Sequence, residues 1–127
     1  MTEKTYTEAT YRGKIAELCL IREDKRNAMS DERLAEARPR ILMIQFGGAI
    51  TVSAMTGAVI GGGLELATAT HVRIAEPSVI FQLPEGRRGI FVGGGATVRV
   101  GRIIGADRMC EMMLTGRHVS AEEGARL

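Results

Sequence analysis

Three consecutive glycines, Gly61, Gly62 and Gly63, separate an apolar run from a segment of good helix formers. The apolar run at 50–59 predicts a buried strand, and residues 64–69 predict a helix. A strand, a glycine turn and a helix in this order constrain the chain to an α/β unit whose first helical N–H groups have no internal partner. Because Glu65 adds a carboxylate in the first helical turn, the stretch predicts stabilisation of an oxyanion beside a group that moves a proton.

The spacing of these glycines argues against the nucleotide-binding turns. No G-x-G-x-x-G pattern is present, so dinucleotide binding has little support, and no Lys-Ser or Lys-Thr pair follows the glycines, which excludes a P-loop. On the glycines alone, a tight packing turn remains an alternative, because glycine is the usual residue where the backbone is strained.

Composition narrows the class of protein. A chain of 127 residues is at most one domain, and its net charge of +2 is too small to indicate a nucleic-acid partner. No apolar run has transmembrane length and the N-terminus lacks the apolar core of a signal peptide, so we expect no membrane association. Cys19 and Cys110 lie in unrelated apolar surroundings and are predicted to be buried, reduced thiols of a cytoplasmic protein. His71 and His118 have no metal-ligand spacing, so no metal site is expected.

Apolar periodicity and chain breakers predict alternating strands and helices. Strands are predicted at 6–11, 15–21, 41–46, 50–56, 71–75 and 79–82. Helices are predicted at 31–37, 62–69, 96–104 and 107–114. Ser120 and Glu123 form a capping box that starts a further helix. The predicted fold class is therefore α/β.

Five blocks of the sequence resemble the motifs of one enzyme family. Residues 25–30 resemble K-R-N-A-L-S, 57–66 resemble G-x-A-x-G-G-G-x-E-L, 81–85 resemble F-G-x-P-E, 89–95 resemble G-I-x-P-G-G-G, and 114–123 resemble L-T-G-R-x-I-S-A-E-E. The blocks follow one another in the order of the crotonase superfamily, the enoyl-CoA hydratase/isomerase family, and with its spacing from Ile50 onward. The resemblance implies a crotonase-like ββα spiral core.

The resemblance also implies a lyase chemistry, the hydration of a 2-enoyl-CoA thioester. The Gly62 N–H would bind the thioester oxygen, and Glu65 and Glu85, which are 85 − 65 = 20 positions apart, would handle the water and the proton. Coenzyme A is then part of the substrate, and no separate cofactor is implied. The implied substrate-binding residues are Lys25, Arg26, Ala28, Met29, Gly61 and Gly93. The family further implies a homotrimer or hexamer that acts in fatty acid metabolism.

The chain departs from the family pattern in several places. After the strand that 40–46 resembles, the family has an S-A-G-x-D-L segment with the second oxyanion N–H, which is absent here, and the family continues beyond Leu127. Gln82 replaces a usual glycine and Val92 a usual proline near the implied pocket, while His71 replaces an aspartate. We therefore expect one partial, internally shortened domain over 1–127.

Three functions stay open on this sequence. The first is an enoyl-CoA hydratase, and the second is another crotonase-fold enzyme, such as an isomerase or a thioester hydrolase. The third is a truncated, inactive fragment that associates through the apolar faces of its strands. A chain with a single oxyanion donor is expected to lose most of its rate, because removing one donor costs about 10²–10³ in kcat. Residues 1–127 alone are thus expected to be weakly folded or oligomeric and essentially inactive.

Overall fold

The computed structural model describes residues 7–21 and 48–127, and the chain divides into two compact units, 1–50 and 51–127. In the first unit, strands β1 (Thr7–Arg12) and β2 (Ile15–Leu20) form an antiparallel hairpin, with Gly13 at a φ of 61° in the turn. This confirms the predicted strand pair. The strand predicted at 41–46 and the helix predicted at 31–37 lie outside the described residues. The prediction of one domain over 1–127 stays a prediction.

The second unit is built on two turns of a spiral. Its first elements are β3 (Val52–Met55), β4 (Ala58–Ile60), α1 (Gly62–Ala67), β5 (Val72–Ala75) and β6 (Ile80–Gln82). β3 pairs with β5 in parallel, Val52 facing Val72, and β4 pairs with β6 in parallel, Ala58 facing Ile80. Each turn therefore adds one strand to each of two sheets over 72 − 52 = 20 or 80 − 58 = 22 residues. This is the ββα spiral that the resemblance implies.

Gly57 divides a stretch that the sequence presents as one strand. The strand predicted at 50–56 is confirmed as β3, but the apolar run at 50–59 also contains β4, which lies in a different sheet and was not predicted as a separate strand. Gly57 has a φ of 59°, its N–H donates to Ser78 Oγ at 3.1 Å, and its carbonyl accepts the Ile80 N–H at 2.9 Å. Because both strands carry apolar residues, the hydrophobic pattern continues across the bend and hides it.

Helices follow the second turn of the spiral. The elements are a 3-10 turn (Gly86–Arg88), α2 (Ala96–Ile104), α3 (Ala106–Thr115), β7 (Val119–Ser120) and α4 (Ala121–Gly124). The predicted helix at 96–104 is confirmed, and Ser120 Oγ accepts the Glu123 N–H at 3.1 Å, as a capping residue should. β7 pairs antiparallel with β6 and escaped prediction, because two residues are too few to show a period. Among the described residues, no helix is long and apolar enough to cross a membrane.

The core of the second unit lies between the sheets and the helices. It contains Val59, Leu64, Ala67, Val79, Leu83, Val92, Ala96, Val100, Met109, Met112 and Val119. Met109 and Met112 of α3 are both buried in it. The prediction of buried thiols is wrong: Cys19 and Cys110 are both free and exposed. Cys19 lies on the exposed hairpin and Cys110 on the outward face of α3, where neighbouring apolar residues in the sequence do not bring them into the core.

One face of the β3–β5 sheet remains exposed. Val52, Val72 and Ile74 have exposed side chains, while Met55 and Ala75, at alternate positions, pack against the core. This alternation follows from the period of two along a strand. The apolar face expected on the 50–56 strand is therefore present on β3 and continues on β5, while the 41–46 strand, for which the same was expected, lies outside the described residues. Association through that face stays a prediction.

Candidate active site

The glycine turn ends at Gly61 and α1 begins at Gly62, as predicted. The Gly61 N–H donates to the Gln82 carbonyl at 2.9 Å, which ties the turn to the end of β6. The first helical hydrogen bond runs from the Glu65 N–H to the Gly61 carbonyl at 3.0 Å. The N–H groups of Gly62 and Gly63 precede this bond, at the positions where a helix leaves its donors without internal acceptors.

Gly61 lies directly against the Glu85 carboxylate. A Cβ added at Gly61 would be 2.6 Å from Glu85 Oε1, and the residue has a φ of 54° and a ψ of −121°, which side chains rarely allow. Gly63 has neither constraint, because nothing lies within 4 Å of a Cβ at that position. Gly61, a predicted substrate-binding residue, is thus in direct contact with the Glu85 carboxylate.

The Glu65 carboxylate lies at the N-terminus of α2. The Ala96 N–H donates to Glu65 Oε1 at 3.0 Å, and a Cβ at Gly94 would be 2.5 Å from Glu65 Oε2. The start of a helix stabilises negative charge through its free N–H groups and its dipole. Although Glu65 is only 9% exposed, its carboxylate therefore has a fixed partner and a place shaped to receive it. Neither Gly94 nor Ala96 was singled out from the sequence for this role.

The Glu85 carboxyl group is also buried, but it is less completely hydrogen-bonded than that of Glu65. Glu85 is 8% exposed, and its Oε2 has no hydrogen-bond partner among the residues that the structure describes. Burial raises the pKa of Glu85 above its ordinary value of 4.5, and the charge of Glu65 raises it further. A backbone hydrogen bond at Glu85 itself and the charge of Arg88 offset part of this rise in pKa. The site therefore binds a proton at Glu85 more readily than an exposed glutamate does.

The spiral explains why these two carboxyl groups are neighbours. Ile60 at the end of β4 faces Gln82 at the end of β6 in the parallel sheet. Glu65 follows Ile60 by five residues and Glu85 follows Gln82 by three, so both leave the carboxyl edge of the same sheet. Crevices at that edge are where α/β folds place their ligands. The predicted pair is thus brought together, one spiral turn apart.

Burial of Glu85 should make stability depend on pH. Because its folded pKa is raised, the folded state holds a proton that the unfolded chain releases near pH 4.5, so this contribution to stability is full below that pH. It is lost as the pH rises towards the folded pKa. We expect the free energy of unfolding, relative to that of Glu85→Gln, to fall as the pH rises from about 4 to about 8 in urea titrations. A constant difference across this range would contradict the raised pKa.

The remaining predicted site residues are Gly93 and four residues whose role stays a prediction. Gly93 is exposed, with nothing within 4 Å of an added Cβ, and Lys25, Arg26, Ala28 and Met29 lie outside the described residues. The two substitutions near the implied pocket have structural uses. Gln82 Nε2 donates to the Gly116 carbonyl at the end of α3, and Val92 is buried in the core.

α1 also lines a separate, mainly apolar pocket. Its volume is about 330 Å³, and α1 contributes Leu64, Ala67 and Thr68 to its wall. Neither Glu65 nor Glu85 lines it. The chemistry-bearing groups and this cavity are therefore distinct features of the unit.

Comparisons with known proteins agree with the geometry. The sequence profile described as Enoyl-CoA hydratase/isomerase matches residues 22–127. Methylglutaconyl-CoA hydratase 1 of Pyricularia oryzae is 48% identical over 73 residues, which are 58% of this chain and 21% of that protein. An enoyl-CoA isomerase/hydratase of Zymoseptoria tritici is 40% identical over 106 residues, which are 84% of this chain and 33% of that protein.

A solved structure shows the same fold over most of the chain. A candidate enoyl-CoA hydratase from Rhodopseudomonas palustris superimposes with a TM-score of 0.83 and 35% identity, covering 95% of this chain and 65% of that one. The chain thus spans a fifth to a third of the length of the two curated relatives. Since the family profile extends over 22–127 and the spiral has the fold of a solved relative, the chain belongs to the enoyl-CoA hydratase/isomerase family.

Proposed function

We propose that this chain carries the carboxylate pair of an enzyme that adds water to a 2-enoyl-CoA thioester. The observation that carries the proposal is the pair itself: two buried carboxyl groups, Glu65 and Glu85, at one sheet edge and in unlike surroundings. Hydration of a conjugated thioester needs a base for water and an acid for the α-carbon. Two titratable groups in different environments suit this division of roles.

The surroundings assign a role to each group. Glu65 accepts a backbone N–H at the start of α2, where negative charge is stabilised, so it is the base that takes a proton from the attacking water. Glu85 is buried beside Gly61 and its raised pKa makes it easier to protonate than an exposed glutamate, so we assign it as the acid that delivers a proton to the α-carbon. The step balances: the α–β double bond becomes single as the hydroxyl bonds to the β-carbon and the Glu85 proton bonds to the α-carbon, and the proton that Glu65 took from water then passes to Glu85 to restore the starting state.

The glycine turn supplies the third part of the proposal. Addition at the β-carbon moves negative charge onto the thioester oxygen, and a backbone N–H aimed at that oxygen lowers the barrier. Gly62, ahead of the first helical hydrogen bond, is the proposed donor. A relative named for a CoA thioester, methylglutaconyl-CoA hydratase 1, supports an acyl-CoA substrate. The cytoplasmic location and the homotrimeric or hexameric assembly stay predictions.

A direct assay tests the proposal. The protein is incubated with crotonyl-CoA, and loss of the conjugated double bond is followed by ultraviolet absorbance. For a protein that carries these residues together with a second oxyanion N–H, we expect absorbance loss without release of a free thiol and a 3-hydroxyacyl-CoA in the product mass; residues 1–127 alone are expected to be essentially inactive. Release of coenzyme A thiol would indicate a thioester hydrolase, and turnover of a 3-enoyl-CoA without hydration would indicate an isomerase. Either result would overturn the assignment.

A further inference from the structure

Arg99 connects the two segments that hold Glu65. It lies in the first turn of α2, and its Nη2 donates to the Glu65 carbonyl at 3.2 Å and also to the Gly94 carbonyl. The first of these carbonyls belongs to α1, and the second to the loop against which the Glu65 carboxylate rests. One guanidinium therefore binds the helix that carries the carboxylate and the loop that receives it.

The carbonyl of Glu65 depends on side chains for its hydrogen bonds. Near the end of the six-residue helix α1, the Leu64 carbonyl accepts the Thr68 N–H at 2.9 Å and the Ala67 carbonyl accepts the Thr70 N–H at 3.2 Å. The Glu65 carbonyl instead accepts from Thr68 Oγ1 at 3.0 Å and from Arg99. A cation at this end of a helix is also favoured by the helix dipole. Arg99 thus completes the C-terminal cap of α1.

Gly95 leaves the space that the guanidinium occupies. A Cβ at Gly95 would be 2.6 Å from Arg99 Nη1 and 2.7 Å from Nη2, and the residue has a φ of 102°. The Arg99 N–H in turn donates to the Gly95 carbonyl at 3.0 Å within the first turn of α2. The position therefore requires glycine both for its backbone conformation and for the close approach of Arg99.

We infer that Arg99 is a positioning residue for Glu65. Its two carbonyl contacts, together with the bond from the Ala96 N–H to Glu65 Oε1, form a closed set of links between α1 and the start of α2. These links set the distance between the Glu65 carboxylate and the amide that holds it. The effect on rate rests on the proposed hydration; the effect on the Ala96–Glu65 bond does not.

Kinetics of Arg99 variants provide the first test. Arg99→Met removes both links, and we expect kcat for crotonyl-CoA to fall about tenfold to a hundredfold with little change in KM, because a misplacement of about 1 Å can cost about 100-fold. Arg99→Lys keeps the positive charge but lacks the planar set of N–H donors of the guanidinium, so it should recover only part of kcat. Arg102→Met, an exposed arginine on the same helix, is the matched control and should behave as wild type.

An amide resonance gives a test that needs no activity. A hydrogen bond to a carboxylate moves an amide proton downfield, so the Ala96 signal in an NMR spectrum reports its bond to Glu65. Glu65→Gln and Arg99→Met should each move this signal upfield, and the double variant should move it less than the sum of the two. Arg99→Lys gives the same readout if the methionine variant does not fold.

The two tests separate the two proposals. An Ala96 signal that is unchanged in both Arg99 variants would overturn the positioning role, whatever the kinetics show. A signal that moves as expected in a protein that does not hydrate crotonyl-CoA would leave Arg99 as the positioning residue and remove the proposed function. Variants with an unchanged signal and wild-type kcat would show that Arg99 is dispensable for Glu65.

Discussion

Glu85→Gln and Glu65→Gln should each lower kcat for the hydration of crotonyl-CoA by about 10²–10⁴, the usual contribution of a positioned acid or base, in a protein that carries these residues together with a second oxyanion N–H. An amide cannot deliver the proton that Glu85 holds or accept the one that Glu65 removes from water. Both replacements keep the size of the side chain, so the affinity for a saturated acyl-CoA should change little. Steady-state kinetics give kcat, and calorimetric titration with butyryl-CoA gives the dissociation constant.

The control for these variants is Glu76→Gln, an exposed carboxylate between β5 and β6. It should retain wild-type kcat, because removing a surface charge away from the site does not alter the proton transfers. Near-wild-type turnover in both Glu65→Gln and Glu85→Gln would count decisively against the proposed roles. A loss of butyryl-CoA affinity equal to the loss of rate would instead indicate a role in binding.

Gly94→Ala should reduce kcat by about 100-fold through displacement of Glu65, since a misplacement of about 1 Å at a reacting group has an effect of that size. The added Cβ would lie 2.5 Å from Glu65 Oε2 and 2.8 Å from its Cδ, so the carboxylate must move. Gly101→Ala in α2 is the matched control, because an added Cβ there meets only ordinary contacts at 3.9 Å and the position has no positive φ. Equal kcat values for the two variants would show that Glu65 has room to adjust.

Gly61→Ala tests the other carboxyl group in the same way. The new Cβ would lie 2.6 Å from Glu85 Oε1. Residues with a side chain rarely adopt the positive φ of this position, so the substitution should also cost about 1–3 kcal/mol of stability. Both activity and melting temperature should therefore fall. Gly63→Ala, two positions away with open space, should affect neither as strongly. A melting temperature of Gly61→Ala equal to that of Gly63→Ala would contradict the strained conformation.

Local signals in the sequence predicted the helices better than the strands. α2 ends before Gly105 as predicted, because glycine stops a helix by its own conformational freedom, which is visible in the sequence. The bend at Gly57 was missed, because the side chains on both sides of it are apolar and the pattern alone does not show that they belong to different sheets. β7 is extended because it pairs with β6. Ser120 of β7 faces Ile80 of β6, which lies 120 − 80 = 40 residues earlier in the chain.

The site shows the same division between local and distant information. Glu65 and Glu85 were identified through the motif resemblance, and the structure brings them to one sheet edge. The partner of Glu65 could not be predicted, because the bond from the Ala96 N–H joins residues 31 positions apart. One signal for Arg99 was present: it lies three positions after Ala96 on a helix whose buried residues are Ala96 and Val100. A charged residue beside a buried helical face needs an internal partner.

The spiral has a consequence for how the molecule is assembled as it is synthesised. Each parallel strand pair joins residues only 20 or 22 positions apart, so the chain can close one turn on the previous one as it lengthens. The entropy of closing such loops grows slowly with their length, which favours this sequential growth. β7 joins β6 across 40 residues. We therefore expect the two parallel strand pairs, between Val52 and Gln82, to form before β7 docks on β6.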